Sequence, residues 1–225
     1  GIVTDNLVLK HNYNAGSVVP VSDGAAYFDG SNSEIVTPLS ASVFDNDFTI
    51  TAWVKMLDDH SSYRTIVGAN DGANDLIELY IISNGSGSVP NHISLAMGVG
   101  SGTHWNTSEE KALAEEGWVH VAASFTSGSQ KIYKNGVSTG FDTGGTRTSS
   151  MDVDAVVIIG NRSEDGDHDF RGHICNVGIW TSVLTQAQVK SIMNKNYAGL
   201  TTSEKTNLVS WWNLSADAND SHGSN

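Results

Sequence analysis

The sequence predicts an all-β chain: an antiparallel sandwich of two facing sheets with one short helix in its C-terminal half. Three observations carry that reading. Short stretches alternate apolar and polar residues at period two, the signature of a half-buried strand. Polar clusters of Gly, Asn, Ser and Asp separate them. One stretch alone combines helical spacing with a helix start signal, and about a dozen short strands with intervening turns fit a sandwich.

The elements follow in chain order. A first short strand is expected at residues 34–37. Phe48-Thr49-Ile50-Thr51-Ala52-Trp53-Val54-Lys55 puts Phe48, Ile50, Ala52 and Val54 on one face. Strands are expected next at 65–68, 76–82 and 92–98. Trp118-Val119-His120-Val121-Ala122-Ala123-Ser124-Phe125 gathers Val119, Val121, Ala123 and Phe125 in the same way. Lys131-Ile132-Tyr133-Lys134 runs into Asn135-Gly136, a pair suited to the positive φ angles of a tight hairpin. Further strands are expected at 155–160 and 173–180, with core packing for Trp53, Trp118 and Trp180. Thr185-Gln186-Ala187-Gln188 is a capping box, with Leu184 and Val189 at the staple positions. The helix it starts, near 185–194, carries a narrow stripe of Val189, Ile192 and Met193, with Tyr197 beyond, that reads as a packing face.

Composition excludes several classes of function. The 225 residues hold 12 Lys+Arg against 25 Asp+Glu, a formal charge of -13. Such acidity argues against nucleic acid, whose phosphates require clustered Lys and Arg. The longest apolar runs, such as Ala155-Val156-Val157-Ile158-Ile159, are far below the ~20 residues of a membrane span. No signal-peptide pattern opens the chain, and Gly1 in first place suggests a processed or excised segment. Cys175 is the single cysteine and reads as a buried, inert thiol in a strand.

The two ends resemble each other: Asn6-Leu7-Val8-Leu9 aligns with Asn207-Leu208-Val209-Ser210. The chain is therefore divided into residues 1–206, one domain, and residues 207–225. The second part is either a closing strand and tail or the start of a truncated second repeat. In Trp211-Trp212, alternation turns one ring inward and the other outward, where it could meet a neighbouring domain.

A set of segments in fixed order resembles a known family. Its members are Ala26-Tyr27-Phe28-Asp29-Gly30, Phe48 to Val54, Trp118 to Ala122, Lys131 to Gly136, Phe170-Arg171-Gly172-His173-Ile174 and Val177-Gly178-Ile179-Trp180. Together they resemble the laminin-G-like jelly roll of the concanavalin A-like lectin/glucanase superfamily, and more loosely the pentraxins. The resemblance implies a jelly-roll sandwich with loops at its rims and frequent calcium binding. It also implies work in glycan binding, adhesion or assembly, often as a module of a larger chain, including phage tail and surface proteins.

Candidate chemistry lies in three places. Glu164-Asp165-Gly166-Asp167-His168-Asp169 packs four carboxylates into six residues. Such a run is either a solvated acidic loop or a set of hard oxygens for Ca²⁺. The resemblance implies that Asn74, Asp75, Asp165 and Asp167, with Glu164 as a further ligand, share one calcium ion where two loops meet. It also implies a second, structural calcium at paired aspartates, but Cys175-Asn176 stands in that place. For sugar recognition, a flat ring flanked by polar side chains is needed. Trp105 with His104 and Asn106 is the first candidate, in what reads as a loop, and Tyr63 with Arg64 is the second. For catalysis, Glu78 has no second carboxylate at period two on its strand, and His120 and Tyr133 match no lyase motif. The sequence thus leads to a non-catalytic, calcium-dependent glycan-binding or adhesion module of a larger surface-exposed protein, extracellular or on a virion. A structural domain contacting neighbouring protein subunits, and a divergent hydrolase or lyase, are the alternatives.

Overall fold

The computed structural model describes residues 21–57, 63–70, 76–82, 92–98, 103–107, 117–127, 129–142, 155–162 and 168–223. Among these the strands are β1 (Ala26–Asp29), β2 (Ile35–Ser40), β3 (Phe48–Met56), β4 (Tyr63–Asn70), β5 (Leu76–Ile82), β6 (His92–Gly98) and β7 (Thr103–Thr107). They continue with β8 (Val119–Thr126), β9 (Ser129–Lys134), β10 (Val137–Asp142), β11 (Val156–Ile159), β12 (Arg171–Trp180) and β13 (Leu208–Trp212). One α-helix, α1 (Gln186–Ile192), lies between the last two strands.

The strands form two antiparallel sheets. A seven-stranded sheet has the order β1-β12-β3-β8-β9-β10, with β13 also paired to β12. A six-stranded sheet has the order β2-β11-β4-β5-β6-β7. The period-two residues named from the sequence meet between them: Phe48, Ile50, Ala52 and Val54 pack with Val119, Val121, Ala123 and Phe125. Across the gap stand Val67, Ile77, Leu79, Leu95 and Val157. Each large apolar side chain sealed here contributes about 1.5–3 kcal/mol. This is the jelly-roll sandwich expected.

Local sequence explains the irregular points. Asn135 and Gly136 turn the β9–β10 hairpin with φ of 48° and 74°. Pro38 is tolerated in β2 because that strand is at the edge of its sheet, where a missing N–H costs no ladder bond. Gly172 has φ of 146°, and a Cβ there would stand 2.1 Å from the Lys55 carbonyl oxygen, so β12 and β3 can approach only with glycine at this position. The capping box is present: the Gln188 N–H donates to Thr185 Oγ1 at 3.3 Å, and the Thr185 N–H donates to Gln188 Oε1 at 2.9 Å.

The helix stripe packs on the sandwich. Val189 and Ile192 press on the outer face of the seven-stranded sheet, against Ala122, Tyr133, Trp180 and Trp211. Trp211 and Trp180 meet edge-on with centroids 6.0 Å apart. Both members of the Trp211-Trp212 pair are buried, Trp212 in the inter-sheet core and Trp211 under this helical cap. The outward ring is therefore covered by its own chain. Trp180 Nε1 also donates to the Glu204 carbonyl at 2.7 Å.

Candidate functional site

The helix covers only part of that outer face. Its boundary is a sealed row across three strands: Cys175 faces Trp53, and Trp53 faces His120. Trp53 Nε1 donates to the Met193 carbonyl at 2.9 Å, fixing the end of α1 to the sheet. Burial pushes the His120 imidazole down to about 3 and the Cys175 thiol up to about 12, so both are neutral near pH 7.

The next row is open. Tyr27 pairs with His173, and His173 pairs with Lys55. Val54 pairs with Val119, which sets Lys55 beside Trp118 at the entrance to β8. Each of these four residues stands out of phase with inward neighbours such as Phe28, Ile174, Val54 and Val119, so all four face outward. Tyr27 is 57% exposed. The His173 ring is 5.3 Å from Tyr27 and 6.2 Å from Trp118, tilted to both. Burial and the Lys55 charge hold His173 below the usual imidazole range.

Three of these side chains, Lys55, Trp118 and His173, form the floor of an open groove of about 530 Å³ walled by Ser22, Asp23, Gly24 and Ala25, and Tyr27 stands outside its lining, next to His173. That volume falls in the ligand-binding range of about 300–1,000 Å³. Aromatic faces, a cationic donor and a carboxylate acceptor meet in one trough. Such a set can stack on apolar C–H faces and hydrogen-bond hydroxyl groups. The sequence reading missed this site and expected Trp118 in the core; Trp118 is in fact half-buried. Alternation within each strand carried the signal, but which strands lie side by side is a long-range property.

Ser22 and Asp23 also line a smaller polar cavity of about 150 Å³ with Asn176, Asn196, Tyr197, Asn213 and Ser215. Asn176 takes φ of 50°, donates through Nδ2 to the Val21 carbonyl at 3.0 Å, and leaves its buried Oδ1 without a hydrogen-bond partner. This is the place where the resemblance implied a structural calcium. The residues do not fit one: Cys175 offers a buried thiol instead of a hard oxygen, and among the described residues Asp23 is the only carboxylate lining the cavity.

The outer face of the six-stranded sheet is built differently. Glu78 is fully buried there. His168 Nδ1 lies 2.6 Å from its Oε1, Arg162 donates to its Oε2 at 3.3 Å, and the Thr65 hydroxyl donates to Oε1 as well. Tyr63 stacks on His168 at 4.6 Å with the rings nearly parallel. Burial and the Glu78 charge raise the ionisation of Tyr80 well above the usual phenol range. Asp169 is buried too: its Oδ1 accepts from the Asn32 N–H at 3.0 Å and from Asn161 Nδ2 at 3.2 Å.

The expected site residues fall as follows. Asn74, Asp75, Glu164, Asp165 and Asp167 lie outside the described residues. Their described flanks converge, since Arg162 and His168 both hold Glu78, near the start of the strand that follows Asn74 and Asp75. Among the described residues, no group of three His, Cys, Asp or Glu side chains could hold a metal ion. Trp105, His104 and Asn106 belong to β7, an edge strand where a loop was expected; they pair with Ala96, Met97 and Leu95. Their Thr-His-Trp-Asn-Thr alternation is too polar to announce a strand. Tyr63 is half-buried in the cluster just described. Arg64, expected at the rim, is 4% exposed, and its Nη1 donates to the Asp169 carbonyl at 2.7 Å. His120 and Tyr133 are both buried.

The described residues thus form a two-sheet antiparallel sandwich with an open aromatic and charged groove on one outer face. The family profile of the concanavalin A-like lectin/glucanases superfamily, in its Laminin_G_3 form, matches residues 29–190, and the chain belongs to that family. Among solved structures, domain 4 of AbnA, an extracellular arabinanase of Geobacillus stearothermophilus in complex with arabinotriose, is 25% identical. The match covers 76% of each chain at a TM-score of 0.58. A heptameric SAP-like pentraxin of Limulus polyphemus is 16% identical over 79% of this chain and 84% of its own, with a TM-score of 0.57. The CBM40 domain of the Ruminococcus gnavus IT-sialidase, bound to sialyllactose, is 15% identical over 77% of this chain and 100% of its own, with a TM-score of 0.54. A comparison with curated proteins gives no match. Among the described residues no helix is long and apolar enough to cross a membrane.

Proposed function

We propose that the chain is a non-catalytic carbohydrate-binding module of a larger, surface-exposed extracellular protein, and that its glycan lies in the groove over Trp118, His173 and Lys55 and reaches Tyr27 beside it. The observation that carries this is the open outward row, in which two aromatic rings flank two nitrogen donors beside Asp23. The bound arabinotriose of the AbnA domain supports the ligand class. Titration of the protein with a panel of linear oligosaccharides tests it. Trp118→Ala is expected to abolish binding with little change in melting temperature. Equal binding by the variant and the parent overturns the site.

Calcium is the second part of the proposal. Asn74, Asp75, Glu164, Asp165 and Asp167 would hold it, and the ion would neutralise carboxylates that otherwise repel one another. The convergence of Arg162 and His168 on Glu78 supports a common location for the two acidic segments. Millimolar Ca²⁺ is expected to raise the melting temperature relative to chelator. An unchanged melting temperature removes the ion from the proposal.

A further inference from the structure

Resting on the reading of this groove as the carbohydrate site, the order of its side chains narrows the ligand. Tyr27, His173, Lys55 and Trp118 occupy four neighbouring strand positions. Three inter-strand steps of about 4.8 Å make the row about 14 Å long, longer than a single sugar ring. Its two ends are aromatic and its middle is basic. The groove is an open trough, so it does not have to enclose a chain end. On one flank the bond from Trp53 Nε1 to the Met193 carbonyl fixes the end of α1 against the sheet. A ligand therefore runs along the row, across the strands.

The middle of the row decides the chemistry. Lys55 offers three donors and no acceptor. Among the described residues no carboxylate forms an ion pair with it. His173 lies directly beside it on β12. Asp23 lies on the groove wall, where it can accept from hydroxyl groups. With a net charge of -13, the chain as a whole repels polyanions, so an acidic ligand gains by placing its charge at this row.

We propose that the groove takes the interior of a linear acidic glycan, several linked sugars laid across the strands, stacked at Tyr27 and Trp118 and with a uronic-acid carboxylate over Lys55. Calorimetric titration at low salt tests it with two ladders, mono- to tetrasaccharide, one of uronic acids and one of the matching neutral sugars. Affinity for the acidic ladder is expected to rise from monosaccharide to trisaccharide and then level. Lys55→Gln is expected to weaken acidic trisaccharide binding about tenfold or more and the neutral series by several-fold less, so that the preference for the acidic ladder is lost. Trp118→Ala is expected to abolish binding of both series, and Tyr27→Ala to weaken both. A monosaccharide that binds as well as the trisaccharide overturns the extended ligand. Equal affinity for the two ladders, with Lys55→Gln silent, overturns the acidic class. The carbohydrate reading survives either result. If neither ladder binds, and neutral linear oligosaccharides of other kinds also fail, that reading falls as well.

Discussion

The two outer faces of this sandwich treat polar side chains in opposite ways. On the six-stranded sheet, Glu78 is sealed and three side chains hold its carboxylate. On the seven-stranded sheet, Lys55 and His173 sit side by side over an open groove between two aromatic rings. A charged group whose hydrogen bonds are all satisfied within the chain holds the fold together. One left open beside flat apolar rings is available to a partner. The difference separates a structural cluster from the proposed binding site more sharply than residue type does, because both faces carry His, Tyr and charged groups.

Substitutions can break that comparison, and the largest effect is expected at the sealed face. Glu78→Ala removes one member of a buried charge cluster, a change of about 3–5 kcal/mol. Chemical denaturation should show that loss, while glycan affinity of the folded fraction stays at the parent value. Lost affinity with full stability would reverse the assignment of the two faces.

Acid should act next. Burial keeps His120 neutral down to about pH 3, whereas the unfolded imidazole takes its proton near pH 6.5. The unfolded state therefore binds more protons between those values, and stability falls as pH drops through that window. Glu204 adds to the loss at lower pH. Burial opposes its charge, but Lys195, Ser191 and Thr201 hydrogen bonds outweigh that and hold the carboxyl at about 2. Its contribution is complete above the ordinary carboxylate range and fades as pH falls toward 2. Melting curves from pH 7 to pH 3 should show a progressive decline, and His120→Asn should flatten its upper part.

Gly172→Ala links the two properties. The new methyl group meets the Lys55 carbonyl, so β3 must shift beneath the groove. Overpacking of this kind costs about 1–3 kcal/mol, and glycan affinity should fall along with stability. The smallest stability change is expected for Lys55→Gln, within about 0.5 kcal/mol as for other surface positions. A large loss there would mean that Lys55 is structural after all.

Most of the scaffold was legible in the sequence. The expected spans 76–82 and 92–98 coincide with β5 and β6, and the capping box at Thr185 and the Asn135-Gly136 turn are present. Each of these depends on contacts within a few residues. The groove depends on register between β1, β12, β3 and β8, whose segments are far apart in the chain, so no local pattern could assemble it. Trp118 shows the limit best. Alternation placed it opposite Val119, yet a tryptophan in a strand reads by default as core. Asp169 shows the converse: within the acidic run it looks like its neighbours, but its carboxylate is turned to Asn32 and Asn161 inside the protein. Composition alone cannot separate an inward carboxylate from a solvated one.

The sealed row behind the groove has a practical consequence. Cys175 is the chain's one cysteine, fully covered and held as a thiol. Alkylating dyes can reach it only when β12 opens, so their labelling rate would clock the breathing of the strand that carries His173. Sugar that clamps this strand should slow the clock, which gives a readout of occupancy without any engineered reporter.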